Sequence, residues 1–147
     1  MKIYLPVLIA LLGFVVPAAA QTSSVPKIIS DGFATYKAVG AAKAVDTWFA
    51  GSLLATDAGA KAKFATLLDA FEQSNGRYSG YESVGTVVLS PSVKYYYVVF
   101  LYDSAPLYAW FEVYNVGDKD IITSYRANPI AAEIVPDSFF RKTIKAE

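Results

Sequence analysis

The chain has 147 residues, no cysteine and no histidine, and its 13 basic residues balance 13 acidic ones. That length fits one ordinary domain and is too short for two full ones. The missing residue types exclude a disulfide framework, thiolate chemistry, zinc-finger ligation and Ser-His or Cys-His catalysis, and the balanced charge argues against a nucleic-acid partner held through phosphates.

Residues 1–20 read as a signal peptide. Lys2 gives a positive start, residues 4–16 give an apolar run, and Ala18 and Ala20 give the small pair that signal peptidase requires. Cleavage is expected before Gln21. The run is shorter than the ~20 residues of a membrane span, and no Cys follows it to carry a lipid. The mature chain loses Lys2 and becomes slightly acidic. An exported chain without disulfides points to the bacterial periplasm or the culture medium, with no membrane contact after cleavage. Residues 21–136 are assigned to a single α+β domain and residues 137–147 to a C-terminal tail.

The first half of the mature chain is helical in pattern. Val25, Ile29, Phe33 and Tyr36 recur at helical steps. Gly32 interrupts the stripe, and Gly40 ends or bends it. Residues 41–50 form a second short helix with Val45, Trp48 and Phe49 on its apolar side. Asp57 caps a third helix, in which Phe64, Leu67, Leu68 and Phe71 form the stripe, and Asn75-Gly76 stops it. Trp48, Phe49 and Phe71 belong to the core or, in a pocket fold, to its lining.

The period then changes. Residues 78–89, 92–102, 107–116 and 120–127 are β-branched and aromatic runs, separated by turn residues such as Ser90-Pro91 and Gly117-Asp118. Four consecutive strands with short connections predict an antiparallel meander. Helices followed by strands predict an α+β fold, with three N-terminal helices on one face of a four-stranded sheet. Ile130 to Val135 is read as a helical turn before Pro136.

A turn centred on Ser104-Ala105 sets Leu101 opposite Tyr108, Val99 opposite Trp110, Tyr97 opposite Glu112 and Tyr95 opposite Tyr114. One face then carries Tyr96, Val98, Phe100, Tyr102, Leu107, Ala109, Phe111 and Val113, and is apolar enough to meet the helices. The other carries Tyr95, Tyr97, Tyr108, Trp110, Glu112 and Tyr114. Tyrosine joins an apolar body to a polar tip and suits half-wet surfaces and binding faces. Three uses of this face follow: cross-strand packing that stabilises the sheet, a sheet-to-sheet homodimer, or a pocket for a small apolar ligand.

Little in the sequence resembles a catalytic constellation, and no cofactor or metal is expected. Glu112 sits among tyrosines, where a carboxylate can act as acid or base, but a solvated Glu bonded to Tyr97 explains it as well. Asp46 is read as solvent-facing. Asp118 and Asp120 lack the further ligands of a calcium loop. Neither Ser79 nor Ser52 sits in a nucleophile elbow. Lys61 and Lys63 read as a solvated helix face.

The segment Gly76-Arg-Tyr-Ser-Gly-Tyr-Glu-Ser-Val84, with Val98-Val-Phe-Leu-Tyr102, Ala105-Pro-Leu-Tyr-Ala-Trp-Phe111, Tyr114 and Ile134-Val-Pro136, resembles a group of small exported bacterial proteins of unknown function. Their pattern has Gly where this chain has Ala105, and an Asp-Gly-Trp turn where it has Asp118-Lys-Asp-Ile121. The resemblance implies a cystatin-like or NTF2-like curved sheet over helices, and it carries no active-site residues. Two functions are expected from the whole reading. One is a non-catalytic binding or interaction module, homodimeric through the aromatic face. The other is an NTF2-like pocket enzyme acting on a small apolar substrate, with Glu112 as base and Tyr97 or Tyr114 as donor.

Overall fold

Residues 24–143 are described by a computed structural model, so residues 1–20, read from the sequence as a signal peptide, lie outside the described residues. Helix α1 (Lys27–Val39) buries Ile29, Phe33 and Tyr36 of the predicted stripe, and Gly32 with them, while Val25 precedes the helix. It runs unbroken through Gly32. The reason is a close approach: a Cβ at Gly32 would lie 2.0 Å from the indole nitrogen of Trp48. Trp48 belongs to α2 (Ala41–Trp48) and crosses α1 there, donating its indole N–H to the Ile29 carbonyl at 3.0 Å. Glycine is what lets the two helices close.

Helix α3 (Ala58–Asn75) opens on the expected cap, with the Asp57 carboxylate accepting the Ala60 N–H at 2.8 Å. Trp48, Phe49, Phe64 and Leu68 are fully buried, so the aromatics of the helical half are core. Phe71 is half-buried and packs edge-on against Tyr102, with centroids 5.0 Å apart. Asp46 is more engaged than the sequence suggests. It pairs with Lys61 of α3 at 2.7 Å, and this contact holds its carboxyl below the usual range. No helix among the described residues is long and apolar enough to cross a membrane.

Strands β1 (Tyr78–Val88), β2 (Val93–Tyr102), β3 (Pro106–Val116) and β4 (Lys119–Asn128) form one antiparallel sheet in the order β1-β2-β3-β4. The fold is therefore α+β, helices first and a four-stranded meander after them. Val98, Phe100, Tyr102, Leu107, Ala109, Phe111 and Val113 are buried against the helical layer, and Tyr96 is half-buried there. Phe33 stacks on Tyr81 with centroids 3.9 Å apart, and Phe64 stacks on Tyr125 at 4.3 Å. These contacts tie α1 to β1 and α3 to β4.

The β2–β3 register differs from the expected one. Leu101 faces Pro106, Val99 faces Tyr108, Tyr97 faces Trp110, Tyr95 faces Glu112, and Val93 faces Tyr114. The turn is centred on Asp103-Ser104 rather than Ser104-Ala105. The end of α3 fixes it. The Arg77 N–H donates to Asp103 Oδ2 at 2.8 Å, and the Ser104 N–H and hydroxyl both donate to the Asn75 carbonyl at 2.9 Å. A slip of two residues changes every cross-strand partner and leaves each side chain on its face. Register shifts at Ser83/Gly85 in β1 and at Glu112/Val113, where Thr123 of β4 is the extra residue, bend the ladder.

Candidate functional site

The outer sheet face carries the six residues singled out from the sequence. Their alternation along β2 and β3 puts Tyr95, Tyr97, Tyr108, Trp110, Glu112 and Tyr114 on the side away from the helices. The structure gathers the first five and leaves Tyr114 at the sheet's end. The Trp110 ring meets Tyr95 edge-on, 5.3 Å between centroids. Tyr97 is buried, and burial raises its hydroxyl's pKa. Glu112 accepts from the Tyr95 hydroxyl on Oε2 and from the Thr123 hydroxyl on Oε1 at 2.6 Å. Its partners are thus Tyr95 and the bulge residue Thr123, not Tyr97. The bond to Glu112 raises the Tyr95 pKa, since the carboxylate favours the protonated phenol. With both oxygens occupied, Glu112 is arranged as an anchor between β2, β3 and β4.

This face is largely covered by the chain's own C-terminal segment rather than left free for a partner. The chain leaves β4 at Asn128-Pro129 and reverses where the Ile130 N–H donates to Asn128 Oδ1 at 2.8 Å. A 3-10 turn, Ala131–Glu133, follows, in agreement with the expected helical turn. Glu133 pairs with Arg126 of β4 at 3.6 Å. Ile134 and Val135 are then buried on the face with Tyr97, and Tyr95, Tyr108, Trp110, Val87 and Phe139 pack around them. Residues 137–143, within the segment assigned to a tail, form helix α4 (Asp137–Thr143). The segment thus crosses the sheet from β4 to β1.

Gly85 of β1 receives the far end. A Cβ there would lie 2.8 Å from the Phe139 ring, so the missing side chain opens a notch that the ring fills. The same ring meets Tyr97 edge-on at 5.4 Å. Sequence reasoning missed Gly85, Arg126, Ile134, Val135 and Phe139 as parts of this face. The signal was present in Ile134-Val135-Pro136 and Phe139-Phe140, apolar residues that a solvated tail would not need.

The cover gives a direct expectation. Replacing Phe139 with Ala should destabilise the domain by about 1–3 kcal/mol, below the usual range for a core Phe because the ring is only half-buried. It should also red-shift Trp110 emission as water reaches the face. Unchanged stability together with unchanged emission would show that the segment does not dock through this ring.

Beyond the cover, the apolar surface continues. Tyr114 and Val116 of β3 and Leu89 after β1 are on the same face at one end of the sheet, and they are 41%, 49% and 67% exposed. No family model, curated protein or solved structure matches the chain.

Proposed function

We propose that the chain is an exported, non-catalytic binding or interaction module whose working surface is the outer sheet face, and that it forms a homodimer there. The observation that carries this reading is the uncovered apolar end of that face. Leu89, Tyr114 and Val116 are exposed beside a cluster that already holds Ile134, Val135 and Phe139. Clustered exposed apolar side chains are a common mark of an interaction site, and a self-complementary patch is the ordinary basis of a two-fold dimer. Tyrosine and tryptophan suit such an interface because they add area with few rotatable bonds.

The export half of the reading rests on Lys2, the apolar run of residues 4–16 and the Ala18/Ala20 pair, which support export to the periplasm or the medium. The resemblance to small exported bacterial proteins supports the same placement. The pocket-enzyme alternative is weaker. Glu112 accepts from Tyr95 on one oxygen and from Thr123 on the other, which ties it to the sheet as a structural anchor.

Light scattering tests the dimer. The mature chain is expected to be dimeric at micromolar concentration. Combined Tyr114→Lys and Val116→Lys substitutions, both at exposed sites, should yield a folded monomer. A wild-type monomer across that range would overturn the interface.

A further inference from the structure

The helix-facing side of the sheet has one polar end. Along β2, β3 and β4 the buried positions are apolar until Lys94, Asn115 and Asp120, where the pattern reverses. These residues, with Pro91, Ser92, Tyr96 and Val113, line a concavity of about 320 Å³. That volume is at the small end of the ~300–1,000 Å³ range of ligand sites. Buried Val113 and half-buried Tyr96 contribute apolar surface, and polar groups surround them.

Two opposite charges share this concavity without meeting. Lys94 makes no ion pair among the described residues, and Asp120 bonds only to the Asn115 amide, which donates to its Oδ1 at 2.9 Å. The Asp120 Oδ2 and the Asn115 carbonyl oxygen are left as acceptors. The Tyr96 hydroxyl makes no hydrogen bond among the described residues, and burial and the Asp120 charge both keep it protonated. It is a ready donor. Lys94 and Asp120 stand on strands separated by β3, where their partners Val113 and Asn115 are two residues apart, so their backbones are about 12 Å apart. The long, flexible Lys94 stem lets its ammonium approach a small ligand held at Asp120. An α-amino acid carries both complementary groups on one small molecule, a carboxylate for Lys94 and an ammonium for Asp120.

We propose that this concavity binds a small zwitterion of the α-amino acid type, carboxylate toward Lys94 and the Tyr96 hydroxyl, ammonium toward Asp120 and Asn115. Buried Val113 and half-buried Tyr96 limit the side chain to a small one. This site is on the opposite side of the sheet from the proposed dimer face and does not depend on it.

Titration of the isotope-labelled mature protein with L-alanine, followed by amide resonances, tests the proposal. Acetate and ethylammonium serve as single-charge probes. Saturable shifts at Lys94, Tyr96, Asn115 and Asp120 are expected at millimolar L-alanine, with acetate and ethylammonium each at least about tenfold weaker. Lys94→Met and Asp120→Asn should each weaken L-alanine by about tenfold or more. Neither side chain holds a structural ion pair across the fold, so both variants should keep the wild-type circular dichroism. Absence of saturable shifts with L-alanine would overturn the proposal. So would acetate binding as tightly as L-alanine, which marks a plain anion site, or equal affinity in either folded variant.

Discussion

Gly32→Ala should cost the domain about 2–4 kcal/mol, although alanine is the better helix former by ~1 kcal/mol. The new Cβ would lie 2.0, 2.2 and 2.4 Å from three atoms of the Trp48 indole. The ring has little room to yield. It is fully buried, edge-on to Phe33 at 5.2 Å, and packed on Phe64 and Phe111 at 5.6 and 5.4 Å. Moving it also breaks the 3.0 Å bond from its indole N–H to the Ile29 carbonyl. Overpacking of this kind costs about 1–3 kcal/mol, and an unsatisfied buried donor adds about as much. Urea unfolding measures the loss. Gly80→Ala is the control, because nothing lies within 4 Å of a Cβ there, and it should be close to neutral. In a double-mutant cycle, Trp48→Phe should cost less in the Gly32→Ala background than in wild type, since the smaller ring relieves the clash. A Gly32→Ala variant as stable as wild type would mean that α1 and α2 do not close through this contact.

Gly32 also shows how far a sequence can be read. Periodicity located α1 through Ile29, Phe33 and Tyr36, and α3 through Asp57 and Asn75-Gly76, because caps and stripes are local signals. Gly32 looked like a flaw in the stripe. Its role depends on a tryptophan 16 positions along the chain, and no local rule relates the two. The β2–β3 turn makes the same point differently. Alternation fixes only which face a side chain takes, so Tyr95, Tyr97, Tyr108, Trp110, Glu112 and Tyr114 fell on one face correctly. A slip of two residues preserves that parity, and it was set by Asp103 and Ser104 reaching the end of α3. The cover over the aromatic face was the least legible part. One ring, Phe139, enters one notch, Gly85. A single insertion has no period.

The two sides of the sheet use tyrosine for different ends. Nine tyrosines fall between residues 78 and 125. On the outer face their hydroxyls sit at the border of the covered cluster, as Tyr95 does with Glu112. On the helix side they are structural. Tyr36, Tyr78 and Tyr102 meet where α1, α3, β1 and β2 converge, and Glu72 of α3 joins them. The Tyr36 hydroxyl lies 3.1 Å from both the Tyr102 hydroxyl and Glu72 Oε2, and Glu72 Oε1 accepts the Tyr78 N–H at 3.1 Å. A tyrosine-rich core of this kind makes the fold dependent on phenol protons.

Alkali is therefore expected to unfold the domain cooperatively, beginning just above pH 10. Burial is the main cause that raises all three hydroxyls. For Tyr36, the Tyr102 hydrogen bond and the neighbouring Tyr102 and Glu72 charges add to it. For Tyr78, the neighbouring Tyr102 and Tyr81 charges do so. Tyr102 is pushed up to about 12, with its bond to Tyr36 opposing the shift. In each case the folded pKa exceeds the unfolded value of 10.0. The native state keeps a proton that the unfolded chain releases, so this stability is fully present below pH 10 and is lost as pH rises through the folded values. Each group contributes a slope of about 1.4 kcal/mol per pH unit, and three together about 4. A domain stable by about 5–8 kcal/mol, the lower part of the usual range, reaches its midpoint between roughly pH 11 and 12. Circular dichroism and tyrosinate absorbance should change together there. Tyr36→Phe removes one of the three titrations and one buried hydrogen bond. It should be less stable than wild type by about 1 kcal/mol at neutral pH. Its stability should then fall less steeply above pH 10, so that the two curves converge within about one unit. Free titration of every tyrosine near pH 10 with no loss of ellipticity would contradict the buried cluster directly.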